Sequence, residues 1–279
     1  MLPTLNIYGK IHNENAYKVV ISQSFTGLCN QLWSIVSAMI ICIKEKINVL
    51  VIDKFLLNIH TKLYSPISKI LSLPSMNIFL EKYKLTLLDG YQIVERNWPN
   101  LKVLKLEWQV LHEPANKALK TEIFHNIRFT SYIVLPALKF VKDNTGNLKK
   151  GTINVIHLRI EQDWLDHVSL HSNPRISPEA VKGQIASKYI DSIQRYIRRD
   201  ELTFVLTGST HNKVIDYLRD HRYTYLLFTK PTPYREMNAA MDMVIGKQCN
   251  NVFIGCGGST FSDMLIYCIT GADTKKYLC

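Results

Sequence analysis

The 279-residue chain has no C-x-x-C pair and no histidine at zinc-finger spacing from any of its six cysteines, at 29, 42, 249, 256, 268 and 279. That excludes a structural zinc finger and a disulfide framework, and points to reduced thiols in a cytosolic-type compartment. Long apolar runs are missing too. The longest, "IVSAMIICI" at 35–43, is far short of the ~20 residues a bilayer span needs. The opening "MLPTLNIYGK" has no basic segment followed by an apolar core, so no signal peptide is read and a soluble, cytoplasmic protein is expected, with no membrane insertion. G-x-x-x-x-G-K-[ST] is absent, which rules out a P-loop. No D-x-D occurs, and no acidic pair stands beside a candidate diphosphate site; the expectation is metal-independent chemistry with no cofactor. There is no longer-period repeat and no low-complexity tract.

Acid is also in deficit, with 23 Asp+Glu against 34 Lys+Arg and a net charge of +11. Such a balance admits nucleic acid, an anionic surface or a phosphorylated small molecule as partner. The densest basic stretch, "RYIRR" at 195–199, follows a helical pattern and reads as a solvated face. No basic patch interleaved with aromatics supports nucleic acid, which is not expected as a partner.

What the chain does have is apolar residue, 47% of it, in a strand-and-helix alternation. "KVVIS", a loop "QSFTG", the apolar "LCNQLWSIVSAMIICIKEK" and "INVLVID" make a β-α-β unit over 18–53. Between 55 and 150 the pattern is looser, with strands at "LTLLD" and "LKVLKLEW" and helices near 114–124 and 132–142. The polar "KDNTGNLKKG" at 142–151 reads as a linker, dividing the chain into lobes 1–150 and 151–279. Four strand-helix repeats follow, the first helix opened by Ser177 as N-cap, Pro178 and Glu179. The expected fold class is α/β, with two Rossmann-like lobes and a cleft between them.

Parallel sheets bind ligands at the carboxyl ends of their strands. Here those ends are "SQSFTGLCNQ", "RIEQDW", "TGSTHN", "TKPTPY" and "GCGGSTFS", four of them rich in small or hydroxyl residues. They supply Gly27 and Asn30, Thr207 and Ser209, and Gly257, Ser259, Thr260 and Ser262 as candidate donor-binding residues. As a dinucleotide fingerprint "GCGGSTFS" fails, since Thr260 replaces the third glycine and no strand is read near the chain's end to carry the acidic residue. A buried strand ends in His157, Arg159, Glu161 and Asp163. If extension persists, His157, Arg159 and Glu161 project one way. The Arg159 guanidinium matches a phosphate that gains charge as it leaves. Glu161, Asp163, Asp166 and His167 are all candidates for a base, and His157 is either a catalytic or a core histidine. Asp242, in an apolar helix, needs a partner if buried, either a local hydrogen bond or a nucleobase edge.

Three segments in order, "FTGLCNQLW" (25–33), "VIHLRIEQDW" (155–164) and "MDMVIGKQCNNVFIGCGGSTFSDMLI" (241–266), resemble the fucosyltransferase-like superfamily, especially the protein O-fucosyltransferases, which are GT-B glycosyltransferases. The resemblance implies that Arg159 grips the donor β-phosphate, that Asn30 assists there, that Asp242 reads the base, and that Ser259, Thr260 and Phe261 line the nucleotide. It further implies metal-free inversion at the anomeric carbon, with 1–150 on the acceptor side and 151–279 holding the nucleotide-sugar. GDP-fucose is the family's donor, and a UDP-pentose such as UDP-xylose is its competitor here. The acceptor would be a hydroxyl of a glycan or glycoconjugate. The chain resembles the family little over 55–150, and the expectation is a soluble microbial or viral glycan-building enzyme. A basic nucleic-acid-binding protein and a nucleotide-binding module without catalysis are the alternatives.

Overall fold

The computed structural model describes residues 16–19, 27–58, 61–90, 102–104, 109–146, 152–172, 174–228, 230–269, 271 and 273–279. The chain divides into two compact units, Met1–Thr130 and Ser131–Cys279. Among the described residues no helix is long and apolar enough to cross a membrane.

The first unit is built on a four-stranded sheet of β1 (Ala16–Val19), β2 (Val49–Ile52), β5 (Thr86–Asp89) and β6 (Lys102–Leu104). Its order is β5-β2-β1-β6, all parallel. A short antiparallel pair, β3 (Phe55–Asn58) with β4 (Leu63–Ser65), stands apart from it. Helix α1 (Leu28–Lys44) is apolar nearly all round, and 13 of its 17 residues are buried, Trp33 and Met39 among them. A helix with no polar face belongs inside a core rather than upon it. It ends where Lys46 turns left-handed, at φ 57°, and the Ile47 N–H donates back to the Cys42 carbonyl at 2.8 Å. Gln31, 1% exposed, pins α1 to β3: its Nε2 donates to the Leu56 carbonyl at 3.0 Å, and its Oε1 accepts the Leu56 N–H at 2.8 Å. Helices α2 (Leu73–Leu80), α3 (Gln109–His112) and α4 (Lys117–His125) complete the unit, Phe124 of α4 lying 5.4 Å from the Trp33 ring.

The second unit carries a five-stranded parallel sheet of β7 (Ile153–His157), β8 (Leu202–Leu206), β9 (Tyr225–Leu227), β10 (Val252–Gly255) and β11 (Lys275–Leu278). Its order, β11-β10-β7-β8-β9, is the doubly wound one in which the first strand sits centrally and the winding reverses between it and the fourth. Every residue of β7, β8 and β10 is buried, as expected of strands covered on both faces. Helices α7 (Pro178–Tyr196), α8 (Lys213–Asp220), α9 (Arg235–Gly246) and α10 (Thr260–Cys268) alternate with the strands where the sequence places them. The Ser177 cap is real, its oxygen accepting the Ala180 N–H, and the Asn212 side chain caps α8 in the same way.

Three expectations need correction. The break between units falls after Thr130, not at 150, and helix α5 (Ser131–Thr145) opens the second unit. Its apolar stripe Ile133, Ala137 and Val141 is buried, and Phe140 meets Phe204 and Phe228 at 5.4 and 5.0 Å. Burial of that stripe outweighs the polar composition that reads as a linker, of which 147–151 lies outside the described residues. The charged stretch after β7 is itself a helix, α6 (Gln162–His171). A strand does exist at the chain's end: β11 pairs with β10, and its residues Lys275, Lys276, Tyr277 and Leu278 include no acid. The dinucleotide fingerprint therefore still fails, for a different reason. All six cysteines are free. The loop "QSF" and Thr26 lie outside the described residues.

Gln31→Leu is expected to cost about 2–4 kcal/mol, because it strands the buried N–H and carbonyl of Leu56 together. A urea midpoint that falls at constant slope checks this, and an unchanged midpoint contradicts it.

Candidate active site

The reversal of winding in the second unit falls between β7 and β10, so the loops leaving these two strands form its natural ligand edge. Past β7 the chain stays extended: Leu158 and Ile160 turn into the core while Arg159 and Glu161 share the opposite side and bond each other. Glu161 has extended φ and ψ of −71° and 152° and is the N-cap of α6, which sets Asp163 in the helix's first turn.

Arg159 is held at both tips. One nitrogen, Nη1, donates to Glu161 Oε2 at 2.9 Å, and Nη2 donates to Asp163 Oδ2 at 2.9 Å. Its guanidinium centre lies 6.0 Å from the Trp164 ring. Burial lowers its pKa, but the two carboxylates more than offset this and hold it above its ordinary value. Glu161 is pinned in turn, its Oε1 accepting the Gly208 N–H at 2.9 Å, which ties the end of β7 to that of β8. Asp163 also receives Arg235 Nη2 at 3.5 Å and the Trp164 N–H at 2.9 Å. Burial raises its carboxyl, but Arg159 and then Arg235 pull it below the usual carboxylate range.

His157 closes the gap between the two loops. Its ring stacks on Phe261 at 4.3 Å, and its Nδ1 lies 2.7 Å from Ser262 Oγ. That oxygen accepts the Cys256 N–H at 2.8 Å, and the Tyr189 hydroxyl donates to the His157 carbonyl at 2.5 Å. Burial above all, with Arg159 and Lys230 adding to it, lowers the His157 pKa to about 3. The imidazole is thus neutral in the physiological range.

In the turn after β10, Gly258 adopts φ +75°, and a Cβ there would lie 3.5 Å from the Trp164 ring. Gly255 has no room for one, since it would meet Ser262 Oγ at 2.7 Å. The Gly257 N–H donates to the Cys279 carbonyl at 2.9 Å, which extends the β10–β11 ladder. Ser259, 5% exposed, stands at the N-cap of α10 without a side-chain cap bond. Thr260 follows as the first helical residue.

Asp242, on α9, is 8% exposed and ion-paired through Oδ2 with Lys230. Its other oxygen, Oδ1, is buried with no hydrogen-bond partner among the described residues. Burial raises its pKa to about 6; Lys230 opposes this and Glu161 adds to it.

The structure thus gathers His157, Arg159, Glu161, Asp163, Asp242, Gly257, Ser259, Thr260 and Phe261 on one edge of the second unit. Gly27, the extended N-cap of α1, and half-buried Asn30 belong to the first unit. Thr207 and Ser209 follow β8, where the Thr207 hydroxyl accepts the Ser209 N–H at 3.1 Å and shapes a turn. One expectation changes. Ser262 does not line a nucleotide: it is fully buried, with its oxygen shared between Cys256 and His157, because a helical side chain leans back toward the preceding strand end. Glu161 and Asp163 do not stand free: both oxygens of each accept hydrogen bonds, which align Arg159 and tie it to the neighbouring backbone. Asp166 accepts from Gln162, and exposed His167 stacks on Trp164 and packs at a tilt against His171. Lys230 and Arg235 escape the sequence reading, although "TKPTPY" marks a strand end and Arg235 starts the next helix. No group of three or more His, Cys, Asp or Glu placed to hold a metal occurs among the described residues.

No protein-family model matches the chain by sequence, and no curated protein does. Solved structures do match. POFUT1 in complex with GDP-fucose superposes with a TM-score of 0.62 at 13% identity, covering 96% of this chain and 98% of that one. The fucosyltransferase NodZ from Bradyrhizobium gives 0.57 at 14% identity over 92% and 93% of the two chains. NodZ, an alpha-1,6-fucosyltransferase, co-crystallized with GDP gives 0.54 at 14%. The chain has a fucosyltransferase-like, GT-B fold. With 96% of the chain covered, most of 55–150, the stretch least like that family in sequence, lies within the match.

Acid titration offers a test of the two buried titratable groups at this edge. His157, depressed from 6.5 to about 3, adds stability that is full above pH 6.5 and drains away as pH falls toward 3. Asp242, raised from 3.8 to about 6, acts oppositely: its share is full below 3.8 and lost as pH rises through 6. Asp242→Asn removes only the second effect. The variant's melting temperature is therefore expected to fall more steeply than the wild type's between pH 6 and 4, and parallel profiles contradict the assignment.

Proposed function

We propose that the protein is an inverting, metal-independent glycosyltransferase that moves a sugar from a nucleoside-diphosphate donor to a hydroxyl of a glycan. GDP-fucose is the first candidate donor, in keeping with the GDP-fucose and GDP complexes among the structural neighbours. A UDP-pentose such as UDP-xylose is the second. The observation that carries this reading is the pre-oriented Arg159 at the switch point, next to a glycine-rich turn on a helix N-terminus. Two of its five N–H donors are occupied, so three remain for phosphate oxygens.

The chemistry follows from this charge. The acceptor oxygen bonds to the anomeric carbon as the bond to the β-phosphate oxygen breaks; the leaving diphosphate gains a negative charge, and the acceptor's proton passes to that phosphate or to water. A guanidinium already fixed in place stabilises that charge without reorganising. Stabilisation of the departing diphosphate in this way supplies most of the drive. The free Oδ1 of Asp242 suits an N–H of a nucleobase, consistent with its implied role in reading the base.

Arg159→Ala is expected to lower turnover by about 10²–10³-fold with the fold intact. The assay is donor hydrolysis and transfer over a panel of GDP- and UDP-sugars, with and without EDTA, alongside melting temperatures to report binding. Full activity in the variant would sink the role of Arg159. Loss of wild-type activity in EDTA would sink metal independence.

A further inference from the structure

Two guanidinium groups converge on one oxygen at this edge. Asp163 Oδ2 accepts Nη2 of Arg159 at 2.9 Å and lies 3.5 Å from Nη2 of Arg235. Two like charges approach this closely only when an anion stands between them. As a staple for the fold the arrangement achieves little, since the Asp163 side chain is 52% exposed and that of Arg235 35%, and exposed pairs of this kind are weak.

Arg235 is also the first residue of α9, a helix of 12 residues whose N-cap, Tyr234, makes no side-chain cap bond. Seven residues on, two turns along the same face, stands Asp242 with its unpartnered Oδ1. One helix face thus presents a cation at its start and an unsatisfied acceptor ~10 Å further along.

We infer that Arg235 is a second ligand for the donor diphosphate, and that the Asp163 carboxylate holds the place of a phosphate oxygen between the two arginines until the donor arrives. This rests on the nucleotide-sugar reading above. Glu161 stays, pinned to the Gly208 N–H, and keeps Arg159 aligned. The half-exposed Asp163 gives up both arginines while its other oxygen keeps the Trp164 N–H, so the exchange replaces one anion by another of greater charge. Arg159 and Arg235 then take the diphosphate from two sides, one arginine from the end of β7 and the other from the start of α9.

The test is calorimetric binding of GDP, GMP, guanosine and UDP to the wild type, Arg235→Gln, Arg235→Lys and Arg159→Gln. Arg235→Gln is expected to weaken GDP or UDP about tenfold or more, the size of a lost charge-assisted hydrogen bond, with a smaller effect on GMP and none on guanosine. Arg235→Lys should recover part of the loss. An equal loss for guanosine and GDP would mean a structural role, and an unchanged affinity for GDP would mean none; either overturns the inference. If Arg159→Gln abolishes GDP binding while Arg235→Gln leaves it intact, only the second ligand falls. If neither GDP nor UDP binds the wild type, the donor reading falls with it.

Discussion

One partly buried cation organises the ligand edge of the second unit. Arg159 leaves the core at the end of β7 with most of its guanidinium out of water, and such a group is tolerable only with anions on hand. Glu161 and Asp163 supply them, and each is tied to backbone in turn, Glu161 to Gly208 and Asp163 to Trp164. The cost of desolvating a charge therefore fixes the positions of three loops. The same carboxylates that make the charge bearable also aim it.

Around that cation the chain keeps its other titratable groups quiet. His157 is neutral because it is buried beside Arg159 and Lys230, and its ring serves as a packing surface for Phe261 and an anchor for Ser262. Through Ser262 it holds the amide of Cys256, and so the glycine-rich turn, at a fixed distance from β7. Trp164 fills the space over Gly258 and beside Arg159. Loops on both sides of the switch point are thus rigidly related to one another, which is what a site that stabilises a transient charge requires.

Much of this was legible in the sequence, because the period of apolar residues and the strand ends carry it. The alternation from 152 to 269 placed four strands and four helices correctly, and the parallel-sheet rule then pointed to Arg159 and to 255–262. What escaped lies in tertiary arrangement. Helix α6 hides in a run of charges because its apolar side needs only Leu165 buried. Strand β11 is half lysine and is recruited by pairing with β10, not by its own apolar pattern. Helix α5 looked like the end of the first lobe because its polar tail resembles a linker, whereas its stripe packs on the second unit. Lys230 and Arg235 carry no local signal, since their meaning comes from Asp242 and Asp163, 12 and 72 residues away.

The most direct test of the central claim is a crystal structure of the chain bound to GDP. The diphosphate should lie at the carboxyl ends of β7 and β10, with its β-phosphate within hydrogen-bonding distance of Arg159 and its base against Asp242. A diphosphate bound elsewhere, or one that leaves Arg159 bonded only to Glu161 and Asp163, would contradict it.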